Sequence, residues 1–341
     1  MKKAPFKLIA LTIFSLLLLP GCGLDEESEC VEQPGSLESM VQVDLINLQD
    51  EVIKIETRED MISFLNDNPV VAEIFLKRSQ YPNDSVMVTE MLNRFTNPGI
   101  DTLYMEVKRV FGDMSALKSE LDEAYSHIRY YYPDFNIPEV KTVISGIEHD
   151  LFLSDSLLII GLDYFLGEGA KFRPHGLFQY MLSRYTPEKI VPSIMLLYGI
   201  SPRLNKTDVN NKTMLADMVA YGKAFYFAKH MMPCTPDSVI ISYTAEEING
   251  VRENAGTVWA HFLENELLFE TSHMIKKKYL DERPGTYEIG DAAPGRIGTW
   301  VGWDIVRAYM RENPGISLQE LMAETDAQKI LNGSNYSPRN K

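Results

Sequence analysis

Hydrophobic residues recur at three- and four-residue spacing through most of the chain, which predicts a mainly helical protein. One such region runs from residue 58 to residue 132. Another, residues 213–232, predicts a single long helix that ends at Pro233. Sequence patterns typical of helix starts are present at four further positions, Thr186-Pro187, Thr244, Ser317 and Thr325.

Hydrophobic and polar residues alternate in shorter segments, which predicts a few strands. Residues 40–55 predict one or two of them. Three more are predicted at 140–144, 147–153 and 156–161, where short turns separate neighbouring strands. The pattern therefore predicts an α+β fold that is mostly helical, with a small antiparallel sheet and one domain over residues 40–338.

The N-terminus has the three parts of an export signal. Three lysines precede an apolar stretch, residues 8–19, that is too short for a membrane-spanning helix of about 20 residues. The segment Leu19-Pro20-Gly21-Cys22 then resembles a bacterial lipobox, in which Cys22 becomes lipidated. Residues 1–21 are thus predicted to be a lipoprotein signal peptide; an ordinary signal peptide is the alternative.

Charge adds to this picture of an exported, acidic protein. The chain has 33 Lys and Arg against 48 Asp and Glu, for a formal charge of −15, which becomes −18 when the three signal-peptide lysines are removed. A protein this acidic is a poor binder of nucleic acid, which requires basic surfaces. Residues 22–39 are polar and rich in acids and predict a tether. Cys30 and Cys234 are expected to be unpaired thiols, although an exported protein permits a disulfide.

The motifs of common hydrolases are absent. No two of the six histidines are four residues apart, so the zinc-protease motif H-E-x-x-H cannot be formed. His261 and Glu264 resemble half of an inverted zinc motif, which is too few ligands for a tetrahedral site. No G-x-S-x-G segment is present. The sequence therefore predicts no metal site and no cofactor.

Two residues are singled out as structural hubs. Asp163 lies in an apolar segment, where a carboxylate requires hydrogen-bond partners, and a structural role is favoured over a functional one. Arg296 follows Pro294 and Gly295 at the predicted start of a helix and is expected to pair with a carboxylate. Gly295, Gly298 and Gly302 would then lie near one helix face and allow a neighbouring helix to approach closely.

Several segments resemble the family of the gliding motility lipoprotein GldB. The most specific is the block from Pro294 to Pro338, which begins PGRIGTWVGWDIVRAYM. Further blocks follow the family's order, namely GLDYFLG at 161–167, RYTPEKIVPSIM at 184–195, MVAYGKAFYFAKHMMP at 218–233 and WAHFLENELLF at 259–269. The resemblance covers roughly residues 40–338.

This resemblance implies an outer-membrane-associated lipoprotein of Bacteroidota, linked to gliding and type IX secretion. The family is also distantly similar to predicted zinc-dependent proteases with H-E-x-x-H on a long helix. Here that helix has Tyr221 and Lys223 where the motif would lie, and both are poor substitutes for neutral imidazole. Glu264 and Glu266 would be remnants of a second motif. The resemblance thus implies a zincin-like helical half with a degenerate cleft.

Three functional hypotheses follow. The favoured one is a non-enzymatic lipoprotein of the outer membrane that supports a protein partner of the cell envelope. A second is a hydrolase that reuses the cleft residues, Tyr221, Lys223, His261, Glu264 and Glu266. A third is a surface lipoprotein that binds peptides or glycans, with sugars stacked on two exposed members of the set Trp259, Trp300 and Trp303.

Overall fold

A computed structural model describes residues 30–31 and 40–340 and consists mostly of helices around a small four-stranded sheet. This is the α+β, mostly helical class that the sequence predicts. The predicted signal peptide and the lipidation site Cys22 lie outside the described residues. The strands are β1 (Leu45–Asn47), β2 (Glu139–Val143), β3 (Leu151–Leu153) and β4 (Leu157–Gly161).

Five helices connect β1 to β2, and ten follow the sheet. The first group is α1 (Gln49–Val52), α2 (Arg58–Asp67), α3 (Asp84–Phe95), α4 (Pro98–Phe111) and α5 (Ser115–Tyr131). The second group is α6 (Gln179–Leu182), α7 (Ile190–Ile200), α8 (Met214–Met231), α9 (Asp237–Ile241), α10 (Ala245–Glu253), α11 (Ala255–Glu264), α12 (His273–Leu280), α13 (Ile297–Glu312), α14 (Leu318–Ala323) and α15 (Ala327–Ser334).

The sheet is mixed, so the prediction of an antiparallel sheet is wrong. Its order is β1-β2-β4-β3, in which β2 pairs in parallel with both β1 and β4, and only β3 and β4 are antiparallel. The residues of a short turn allow a hairpin between neighbouring strands, such as β3 and β4, to be predicted from the sequence. A parallel pair needs a long crossover, and the one between β1 and β2 contains all of α1 to α5.

The long helix α8 forms the centre of the second half, where α13 crosses it at two glycines. A Cβ on Gly302 would lie 1.8 Å from the Met218 carbonyl oxygen, and one on Gly222 would lie 2.2 Å from the Gly302 oxygen. The two backbones therefore touch, as the glycine spacing predicts for Gly302. Phe225 and Trp303 stack across the same contact with ring centroids 5.3 Å apart.

Helix starts agree with the capping patterns in part. Thr244 and Ser317 each form the complete capping box, as predicted. The last helix is capped by Asp326 and not by the predicted Thr325. Residues after Pro187 form a short 3-10 turn before α7 begins. None of the helices in the described part of the chain has the length and apolar character needed to cross a bilayer.

A disulfide joins Cys30 to Cys234, so the expectation of two unpaired thiols is wrong. The bond links residues that are 204 positions apart. Beside it, the Val31 amide donates to the Pro233 carbonyl at 3.2 Å. The segment that the sequence assigns to a tether is therefore fastened to the end of α8 at residue 30.

Candidate functional site

An open cleft lies where α8 passes the beginning of α13. Its cavity of about 440 Å³ is bordered on one side by Tyr221 and Phe225, which are one turn apart on α8. Leu196 of α7 and Leu280 of α12 add apolar surface. Among the five residues that the sequence assigned to a degenerate cleft, Tyr221 is the one that borders this cavity.

The helix α8, which borders this cleft, begins at a side-chain cap and is largely buried. The Thr213 side chain caps the helix by accepting a hydrogen bond from the Ala216 amide at 3.3 Å. Most side chains of α8 are buried, whereas Tyr221 is 37% exposed. Burial raises the pKa of Tyr221, with a smaller contribution from Asp281, so its phenol is neutral at physiological pH.

Two arginines that line the cleft share one carboxylate. Arg184 forms an ion pair with Glu282, and the Nε of Arg296 lies 3.3 Å from Oε2 of the same residue. Arg184 comes two residues after α6, Glu282 follows α12, and Arg296 immediately precedes α13. A residue from the middle of the chain thus meets two neighbouring segments about a hundred positions further on.

The guanidinium of Arg296 is held from further directions. It donates to the Ile241 carbonyl at 2.7 Å and lies 5.4 Å from the centre of the Tyr243 ring. The Tyr243 hydroxyl donates to the Gly295 carbonyl at 2.7 Å, next to the arginine backbone. Arg296 itself has a left-handed backbone, with φ of 58°. These contacts orient the guanidinium in advance of any ligand.

The arginine pair carries more positive charge than Glu282 compensates. Burial lowers the pKa of Arg184 to about 10, and the nearby charge of Arg296 contributes to the same shift. Both effects raise the free energy of the protonated, charged guanidinium. Arg184 still keeps 27% of its side chain exposed, and Arg296 keeps 12%. Asp281 lies at the border of the cleft, 4.0 Å from Lys277.

Lys223 is on α8 but serves a different purpose. Its side chain is 1% exposed, and its ammonium donates to the Lys206 and Glu324 carbonyls at 2.6 and 2.7 Å. Burial lowers the pKa of Lys223 to about 8, although Glu324 opposes the shift. These contacts fasten the loop before α8 to the segment after α14. Lys223 is thus a structural anchor and is not presented to the cleft.

The other residues assigned to the degenerate cleft have separate surroundings. Nε2 of His261 lies 3.0 Å from the Tyr279 hydroxyl, and burial lowers the pKa of this histidine. Glu264 and Glu266 are exposed at the end of α11. Within residues 30–31 and 40–340, no group of three His, Cys, Asp or Glu side chains is arranged to hold a metal ion.

Asp163 is fully buried and organises a loop beside the sheet. Its Oδ2 accepts hydrogen bonds from the backbone amides of Ser145, Gly146 and Ile147 at 2.6 to 3.0 Å. Burial raises the pKa of Asp163 to about 6, while the three amide donors oppose that rise. Since Gly146 and Ile147 both have left-handed backbones, with φ of 83° and 64°, the carboxylate holds an unusual turn in place.

The tryptophans do not form a surface for stacking sugars. Trp300 and Trp303 are 2% and 0% exposed, and Trp303 packs on Phe225 inside the core. Trp259 is partly buried and meets Tyr336 edge to face at 5.0 Å. The glycan hypothesis requires two exposed, coplanar tryptophans, and the described part of the chain does not present them.

Sequence reasoning identified Arg296 but not its partners. It expected a carboxylate without naming Glu282, and Arg184 was quoted only as the first residue of a segment resembling a family block. The signal available was that Arg184 begins one such block and Arg296 lies near the start of another, in an acidic chain. The pairing of Arg184 with Glu282 joins residues about a hundred positions apart and could not be read locally.

The fold and the cleft define a mostly helical α+β protein with an arginine-lined surface pocket. The model of the family described as gliding motility protein GldB matches residues 29–338, and the chain belongs to this family. No curated protein and no solved structure matches the chain significantly. The family relates the protein to gliding motility, and its name describes lipoproteins, which agrees with the lipobox at Cys22.

Proposed function

We propose that this gliding-motility protein is a non-enzymatic, lipid-anchored component of the outer membrane that supports a protein partner in the cell envelope. The observation that carries the proposal is the pair facing the cleft from α8, Tyr221 and Phe225. They stand one helical turn apart, which is the spacing of the two histidines in a zinc protease. A neutral phenol and a benzyl ring do not replace two imidazoles as zinc ligands.

The disulfide gives this proposal a geometric consequence. With lipid on Cys22, Cys30 follows the anchor by only eight positions and is fastened to Cys234. A fully extended segment of that length spans about 28 Å at roughly 3.5 Å per residue. Cys234 and the nearby end of α8 would therefore stay near the membrane surface, and the domain would approach its partner in a restricted orientation.

A fractionation experiment tests the anchor and the partner together. Tagged wild-type chain should be recovered in the outer-membrane fraction, and an envelope protein should co-purify with it in a fixed ratio after detergent extraction. The variant Cys22→Ala should move to the soluble fraction, because a lipid chain is the only anchor proposed. The variant Ser28→Ala, in the same acidic segment, should behave like wild type.

Two results would contradict the proposed role. One is a Cys22→Ala variant that remains in the outer membrane. The other is wild-type chain that purifies alone from every detergent extract.

A second function, binding of a peptide or small ligand, is favoured by the cleft itself. Its two oriented guanidinium groups, Arg184 and Arg296, line the same cavity of about 440 Å³ as several apolar side chains. Ligand sites commonly combine such an apolar surface with a few placed polar groups. The hydrolase alternative gains no comparable support, because Lys223 is engaged by backbone carbonyls away from the cleft.

A further inference from the structure

We infer that the cleft between α8 and α13 binds a carboxylate attached to an apolar group, as at the C-terminal residue of a peptide. This inference rests on the proposed binding role of the cleft and names its ligand class. Three observations carry it, namely the fixed orientation of the arginines, the charge around them and the apolar side chains that border the same cavity.

The first observation is that the arginines are fixed before a ligand arrives. Glu282 lies against both guanidinium groups, and Ile241 and Tyr243 hold Arg296 from two further sides. Each guanidinium presents five N–H donors in a planar fork that suits a carboxylate. A group oriented in this way loses little conformational entropy when it binds.

The second observation is the charge of the surroundings. Glu282 offsets one of the two guanidinium charges, and Asp281 at the border of the cleft is itself paired with Lys277 at 4.0 Å. A single carboxylate compensates the excess charge at the arginine pair. A doubly charged phosphate would exceed it, and Glu282 would repel two charges more strongly than one. The cleft therefore suits a monoanion better than a phosphate.

The third observation is the apolar surface beside the arginines. Leu196, Phe225 and Leu280 border the same cavity, and Thr299 adds a small hydroxyl side chain near the arginine end. An aliphatic side chain placed there would lose contact with water while its carboxylate reached the guanidinium groups. A peptide that ends in leucine carries an aliphatic side chain and a carboxylate on the same residue.

Titration calorimetry on the complete mature chain tests this inference. The probes are acetyl-Ala-Ala-Leu with a free C-terminus, the same peptide as its C-terminal amide, hexanoate and inorganic phosphate. The free acid should bind at least about tenfold more tightly than the amide, since a charge-assisted hydrogen bond contributes about 1.5 kcal/mol or more. This comparison uses the native chain and does not depend on whether a variant folds.

Variants then locate the binding. Arg184→Met should weaken binding of the free acid at least about tenfold. Arg203→Met is the matched control, since this exposed arginine pairs with Asp155 outside the cleft, and it should leave binding unchanged. Equal binding by hexanoate and the peptide would indicate a free monocarboxylate as the natural source, and tighter binding of the peptide would indicate a chain terminus.

The inference is overturned if acid and amide bind equally, if no probe binds, or if phosphate binds more tightly than the carboxylates. The proposed function is tested by a separate result, the co-purification of an envelope partner. If an envelope partner still co-purifies while no carboxylate binds, only the ligand class is lost. If wild-type chain captures no partner, the supporting role itself is lost, whatever the calorimetry shows.

Discussion

The variant Gly302→Ala should lose about 3 kcal/mol or more of its free energy of unfolding, although it adds only one methyl group. That methyl would lie 1.8 Å from the Met218 carbonyl oxygen and 2.4 Å from its carbon. Backbone atoms in a helix cannot turn away as a flexible side chain can, so α8 and α13 must separate. Their separation also disturbs the stacked Phe225 and Trp303, and overpacking of a core typically costs 1 to about 3 kcal/mol or more.

Gly250→Ala is the matched control for this substitution. Gly250 lies inside α10, and a Cβ there would meet no other atom within 4 Å. The same chemical change should therefore stabilise the protein by about 0.4 to 1 kcal/mol, because it reduces the freedom of the unfolded chain. Urea denaturation of both variants measures the difference. A Gly302→Ala variant as stable as wild type would contradict the close crossing of α8 and α13.

Loss of the disulfide should have the second large effect. Replacing Cys30 and Cys234 together by serine should lower the free energy of unfolding by about 3 kcal/mol, within the range usual for native disulfides. A loop of 204 residues would give about 5 kcal/mol from chain entropy alone. The expected value is smaller because the native chain regains freedom around residue 30 when the bond is absent.

Denaturation in urea, with and without a reductant, measures this effect. Reductant should shift the midpoint of wild type towards that of the double serine variant, and it should leave the variant itself unchanged. Two free thiols in the native, unreduced protein would refute the pairing of Cys30 with Cys234. A midpoint that reductant does not move would show that the bond contributes nothing to stability.

The sequence was most informative where the structure depends on local signals. The helix α8 was predicted nearly to the residue because Thr213 caps it and Pro233 closely follows its last turn. The capping boxes at Thr244 and Ser317 were likewise readable from four consecutive residues. Gly302 signalled a close helix contact because its spacing placed it on one face with its neighbouring glycines.

Prediction failed where distant segments decide the structure. The strands β2 and β4 were expected to lie in an antiparallel sheet but pair with each other in parallel, because β3 lies on the other side of β4 and not between them. Cys30 was predicted to lie in a tether with an unpaired thiol. Its disulfide with Cys234 joins residues 204 positions apart, which become neighbours when the chain folds. Of the five residues predicted to line a degenerate cleft, Tyr221 borders the cavity. Lys223, two residues further along α8, is buried and bonded to backbone carbonyls, which the linear sequence does not reveal.

We expect the cleft to bind ligands without cleaving them. Mass spectrometry of a mixed peptide pool, incubated with zinc-supplemented wild-type chain, tests this expectation. Every peptide mass should remain unchanged over the incubation. New fragments that appear with the protein, and that disappear when a chelator removes the zinc, would contradict it.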